Sequence, residues 1–242
     1  MKSDITHNIG IILERIRKAS EASGRDPKDV RLLLATKTVA ADRIKEAFHA
    51  GQTLIAENKV QELRDKFEAL KDVRHTSHFI GHLQTNKIND VLKYGVSCIQ
   101  SVDRVDLAEK LHKRLSYENR TIEVLIQVNT SNEESKFGVH PDQAIELVRQ
   151  VAQFKTLKIK GLMTIGLFKG QPHELRACFS LLRKLRDQIS DLAIPGVEMD
   201  ELSMGMSGDL EMAVEEGATI VRVGTAIFGQ RVTPDSYYWN EQ

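Results

Sequence analysis

Eight short apolar runs, each followed by an amphipathic stretch, set the strongest limit on how this chain can fold. They are RLLLATK (Arg31 to Lys37), TLIAEN (Thr53 to Asn58), HFIGH (His78 to His82), CIQSVD (Cys98 to Asp103), IEVLIQVN (Ile122 to Asn129), IKGLMTIG (Ile159 to Gly166), VEMDELSMG (Val197 to Gly205) and TIVRVGTAIFG (Thr219 to Gly229). Successive runs start 20 to 38 residues apart, the spacing of a strand, a loop and a crossover helix. The segments between them read as helices. Asp42 to His49 stops at Gly51, and Pro141 to Phe154 and Pro172 to Ile189 each open on a proline. A further helix over Ser3 to Ser23 precedes the first strand and stops at Gly24. Seven strand–helix units and a last strand leave a closed barrel one helix short, and this N-terminal helix is the natural cover. The pattern predicts an α/β fold, a single (β/α)8 TIM barrel over residues 1–242 with an extra N-terminal helix. A doubly wound sheet would want a glycine-rich phosphate turn after the first strand. The turn there is ATKTVAAD, with neither GxGxxG nor a P-loop.

The remaining composition narrows the function. Lys plus Arg and Asp plus Glu both number 34, so the chain lacks the basic excess that neutralises nucleic-acid phosphates. Cys98 and Cys178 are the two cysteines, with no CxxC or Cys/His spacing, which argues against a zinc site or a disulfide framework and for a reducing compartment. The first apolar patch is cut off by Glu14, too soon for a secretory signal, and no run reaches membrane-spanning length. The expectation is a soluble, cytoplasmic protein.

Barrel chemistry gathers at the carboxyl ends of the strands. Here these ends are Lys37, Asn58, His82, Asp103, Asn129, Gly166, Ser203 to Ser207, and Gly224–Thr225. Alternation puts Leu33, Ala35 and Lys37 on one inward face. A lysine in a barrel mouth loses hydration, and its neutral amine can attack a carbonyl. A strand-end lysine reaching to solvent is the commoner case. The turns SMGMSGD and RVGT combine small residues with hydroxyls, a usual phosphate seat in barrels, although Ser207 also suits an N-cap. Arg222 interrupts TIVRVG and points inward with Ile220 and Gly224. Such a guanidinium needs a partner, either Glu198 or Glu201 on the preceding strand or a ring nitrogen of a ligand, and position alone does not choose. His78 and His82 lie four apart on a strand and so share a face, but no third metal ligand has a suitable spacing, and a core or loop histidine is the better reading. Neither GxSxG nor HExxH occurs.

The blocks LLLATKT, AENKVQE, HFIGHLQTNK, SVDR, NTSNEESKFG, GLMTIG, LSMGMSGDLEMAVEEGAT and VRVGTAIFGQR run from about Val30 to Arg231. In that order they resemble the pyridoxal phosphate homeostasis protein family. Its members look like the barrel domain of alanine racemase (fold type III of the pyridoxal phosphate proteins) without the racemase's second domain. The resemblance implies that Lys37 forms an internal aldimine with pyridoxal 5′-phosphate. It implies that Asn58 lies near the cofactor's phenolic oxygen, and that Ser203, Gly224 and Thr225 form the phosphate cradle with Met204 beside it. Arg222 is similar to the arginine that faces the pyridine nitrogen. Lys136 in ESKFG is the next candidate for attachment. Thr36 stands where serine is frequent, Ala56 where glycine is common, and Ser77 where tryptophan often precedes the histidine.

The family likeness also implies a carrier in place of an enzyme. A racemase needs a second base beside the substrate, supplied in fold type III by the extra domain of a partner subunit. The chain ends at Gln242, soon after the eighth run, leaving no room for that domain. An arginine at the pyridine nitrogen also makes the ring a poorer electron sink than a carboxylate would. The expectation is a monomer that buffers pyridoxal phosphate and delivers it to apo-enzymes, with no turnover and no nucleic-acid or membrane partner. Two readings compete: a one-domain racemase or decarboxylase using Lys37 and His82, and a Schiff-base aldolase acting on a phosphorylated sugar.

Overall fold

A computed structural model describes residues 4–167 and 170–230. The far ends of the 1–242 span, Ser3 and Arg231 among them, lie outside the described residues. Eight parallel strands close into a barrel in sequence order: β1 (Arg31–Ala35), β2 (Leu54–Glu57), β3 (Thr76–Phe79), β4 (Cys98–Val102), β5 (Ile122–Gln127), β6 (Leu157–Met163), β7 (Val197–Ser203) and β8 (Ile220–Val223). Closure pairs β8 with β1, in a register that sets Leu33 against Arg222 and Leu34 against Val223. The (β/α)8 expectation holds.

The helices are α1 (Ile5–Ala22), α2 (Ala41–His49), α3 (Val60–Leu70), α4 (Ile88–Lys93), α5 (Val105–Tyr117), α6 (Ala144–Val151), α7 (Pro172–Asp191), α8 (Leu210–Glu215) and α9 (Thr225–Phe228). Helix α1 buries Ile5, Ile9, Ile12 and Ile16, a stripe at helical spacing, and packs on α2, α8 and α9. It fills the gap in the outer ring, as its place in the sequence suggested. Gly24 and Gly51 end α1 and α2 with φ of 70° and 86°, conformations that glycine adopts without a Cβ penalty.

Two boundaries differ from the sequence pattern. The eighth run does not stay extended: β8 stops at Val223, and Thr225–Phe228 turns into α9. The Pro141 segment divides into a short 3-10 turn, Pro141–Gln143, and α6, which ends at Val151. Inside the barrel, Leu33, Ala56 and Ile220 form one apolar cluster and Cys98, Leu125 and Met163 another. The alternate residues face the helices and make the main core.

Candidate active site at the carboxyl ends of the strands

Leu33 lies in the barrel interior, and Ala35 and Lys37 follow at alternate positions, Lys37 two residues past the end of β1. Lys37 is partly buried. It lines a cavity of about 370 Å³ with Ala35, Thr38, Arg43, Gly224 and Thr225. The closure register accounts for this. Leu34 pairs with Val223, so the chain leaving β8 at Gly224 passes beside the end of β1. Thr225 is exposed there.

The turn after Lys37 is strained. Thr38 has φ of 62°, a value that a β-branched residue rarely takes. Its N–H donates to Glu62 Oε1 at 3.0 Å, and its hydroxyl to the Lys37 carbonyl at 2.6 Å. Behind the strand, Lys66 Nζ donates to the Thr36 carbonyl at 2.7 Å and to Glu57 Oε1 at 2.6 Å. Thr36 Oγ1 donates to the same Glu57 oxygen at 2.7 Å. Helix α3 thus holds the segment bearing Lys37 through Glu62 and Lys66. Burial, opposed by Lys66 and reinforced by Glu62, pushes the Glu57 carboxyl up to about 7.

Arg222 points into the barrel and is 5% exposed. Neither acid suggested for it is its partner. Glu201 is engaged by Arg31 and Thr219, and Glu198 by Lys160. Instead Arg222 Nη1 donates to Ser203 Oγ at 2.8 Å and Nη2 to the Thr164 carbonyl at 2.7 Å. Burial lowers its pKa to about 10, with Asp209 opposing, so it remains a cation at neutral pH.

The other expected site residues fall into three groups. Ser203 is fully buried, and its hydroxyl donates to Gln100 Oε1. The Met204 side chain packs in the outer core, leaving only its main chain on the strand wall. Asn58 lines a separate cavity of about 180 Å³ with Lys59, His82, Gln84 and Lys87. A Cβ on Gly81 would lie 1.8 Å from the Asn58 carbonyl oxygen, so glycine is required at that crossing. Lys37, Gly224 and Thr225 therefore share one cavity, with Arg222 and Ser203 buried in the barrel wall. Ser207 does not cap α8; Asp209 occupies that position, and its Oδ1 accepts from the Met206 N–H at 2.5 Å.

His78 and His82 do not form a pair. Strand β3 ends at Phe79; His78 is buried beside Gln100, while His82 stacks on Phe137 with ring centroids 3.8 Å apart. Among the described residues no group of three or more His, Cys, Asp or Glu could hold a metal ion, and no helix is long and apolar enough to cross a membrane. Lys136 donates to the Gly166 carbonyl at 2.7 Å and pairs with Glu133. Sequence reasoning missed Gln100, Thr164, Glu57 and Lys66. Inward parity from Cys98 could have found Gln100; nothing local marks the others.

Residues 8–232 match a family model described as the alanine racemase N-terminal domain. A pyridoxal phosphate homeostasis protein of Aquifex aeolicus is 45% identical over 91% of this chain and 95% of its own length. The protein of the same name from Escherichia coli K12 is 37% identical over 95% and 97%. Among solved structures, PipY of Synechococcus elongatus with PLP bound superposes with a TM-score of 0.78 at 35% identity, covering 90% of this chain and 100% of that one. An alanine racemase from Clostridium difficile, 12% identical with a TM-score of 0.71, shares the fold over 58% of its length. With near-complete coverage of relatives that carry one name, this chain belongs to the pyridoxal phosphate homeostasis protein family, on a barrel of the alanine racemase N-terminal type.

Proposed function

We propose that this chain holds pyridoxal 5′-phosphate in the Lys37 cavity, attached covalently through Lys37 Nζ, and serves to buffer and hand over the cofactor. The observation that carries the reading is the placement of Lys37 in one cavity with Gly224 and Thr225. The donor set suits the group. An amine meets an aldehyde, small residues with a hydroxyl meet a phosphate, and the donor-only guanidinium of Arg222, two residues before Gly224 and buried in the barrel, suits an acceptor nitrogen. When bound, the cofactor supplies a reactive aldehyde and a conjugated ring.

The chain's own residues support a narrow use of that chemistry. Lys37 is steadied by α3 through Glu62 and Lys66. Arg222 can donate to a ring nitrogen and cannot give up its proton at neutral pH, so it favours a neutral ring. That is the setting for storage and not for carbanion chemistry. The relatives are named homeostasis proteins, not racemases. The finer elements of the proposal are a single domain over 1–242, a monomeric state, a cytoplasmic location, and delivery to apo-enzymes. A solution mass near twice 27.3 kDa would overturn the monomer.

The test of the central reading is the visible spectrum of the purified protein incubated with pyridoxal phosphate and then dialysed. Wild type should keep the absorbance band of lysine-bound cofactor, and Lys37→Ala should lose it with its circular dichroism unchanged. A band that survives in Lys37→Ala moves the attachment elsewhere, with Lys136 next to be replaced.

A further inference from the structure

Four buried side chains from opposite walls of the barrel join across its interior. His78 lies on β3, Gln100 on β4, Ser203 on β7 and Arg222 on β8. Arg222 Nη1 is 2.8 Å from Ser203 Oγ, Ser203 Oγ is 2.6 Å from Gln100 Oε1, and Gln100 Nε2 is 2.8 Å from His78 Nδ1. The middle link spans the barrel from β7 to β4, two strands that are not neighbours in the sheet.

The direction of this chain follows from the inventory of donors. A guanidinium has hydrogens to give and no lone pair to offer, so Ser203 Oγ accepts from Arg222. The next contact, at 2.6 Å, falls in the range of O–H···O bonds and below that of N–H···O bonds. The amide oxygen of Gln100 therefore faces Ser203, whose own hydrogen points to it. That leaves the Gln100 NH2 against His78, and an NH2 can only donate. His78 Nδ1 must accept with its lone pair.

We infer that Gln100 and His78 are positioning residues for Arg222: the hydrogen bonds run one way from guanidinium to imidazole, lock His78 as the neutral Nε2–H tautomer, and hold the Nη1 edge of Arg222 through Ser203. The second edge of the guanidinium is held independently by the Thr164 carbonyl. Two fixed edges leave the planar fork no freedom to rotate, which is what a donor aimed at a single ring nitrogen requires. Burial holds the His78 imidazole at about 4, with Arg31 adding to the effect, in keeping with a neutral ring. The consequence for the cofactor rests on the reading of Arg222 above; the hydrogen-bond direction does not.

Two measurements test this. The side-chain 15N and 1H resonances of His78, recorded at pH 7 on protein without cofactor, should show one proton, on Nε2. A proton on Nδ1, or on both nitrogens, overturns the inference whether or not the protein binds pyridoxal phosphate. Gln100→Leu and Ser203→Ala should each weaken pyridoxal phosphate binding about tenfold, and the double variant no further than either, because both cut one chain. Equal additive losses, or unchanged affinity in both single variants, would remove the positioning role. Wild type that binds no pyridoxal phosphate would refute the proposed function and leave the tautomer result standing.

Discussion

Lys66→Met should cost this protein a fixed amount in mild acid and progressively more above neutrality. Lys66 is the ammonium partner of Glu57, whose side chain is 2% exposed, and their contact is 2.6 Å. The Glu57 carboxyl is raised from 4.5 to about 7. Between those values the folded chain binds more protons than the unfolded chain. Its contribution is therefore full below about 4.5 and is lost as pH rises through 7. Above 7 the wild-type carboxylate is ionised in both states and adds no further slope. Without Lys66 the carboxyl is pushed higher still, and the loss continues at about 1.4 kcal/mol per pH unit. At pH 6 the gap between variant and wild type should reflect mainly the missing bond to the Thr36 carbonyl, roughly 1.5–3 kcal/mol. At pH 8.5 it should be wider by about 2 kcal/mol. Urea unfolding followed by circular dichroism at the two pH values measures both gaps. Glu57→Gln in the Lys66→Met background should abolish the widening, since an amide does not ionise. A gap that is the same at pH 6 and pH 8.5 would show that Lys66 does not govern Glu57 and refute the reasoning.

Acidification should destabilise the chain through His78. Its folded value near 4 lies below the ordinary 6.5, so this contribution is present above 6.5 and lost as pH falls toward 4. His78→Gln should flatten that part of the stability profile relative to wild type; identical slopes would contradict the buried neutral ring. Gly81→Ala should lower stability by roughly 1–3 kcal/mol, because its Cβ meets the Asn58 carbonyl oxygen at 1.8 Å and backbone cannot yield cheaply. An unchanged urea midpoint would mean that the crossing of these two loops opens freely. Pyridoxal should bind far more weakly than its phosphate ester, since each charge-assisted bond to a phosphate is worth about 1.5–3 kcal/mol. Equal dissociation constants in a fluorescence titration would remove the phosphate role from Ser203, Gly224 and Thr225.

The barrel itself was legible in the sequence. The alternation of apolar runs and amphipathic helices is a local property, set by side-chain periods of 2 and 3.6 that each segment carries alone. The same local rule put Lys37 and Arg222 on inward faces; Arg222 is buried in the barrel, and Lys37 lines a cavity with Ala35 and Gly224. The gap in the outer ring and its filling by α1 were also visible, because they follow from counting units. The end of β8 was not. TAIF has the composition of a strand, yet its neighbours run out: β7 ends at Ser203, opposite Ile220, and Val223 already pairs with Leu34, one residue before β1 ends. His82 was likewise placed in a strand that ends three residues earlier. The partner of Arg222 was the larger omission. The preceding strand offered Glu198 and Glu201, but those acids face outside partners, and the guanidinium is met by Ser203 and by a carbonyl of β6's outgoing loop. The reach from Ser203 to Gln100 joins positions 103 residues apart on opposite walls. No local pattern encodes such a contact, because it exists only once strand tilt and stagger have closed the sheet and brought its two sides within hydrogen-bonding distance.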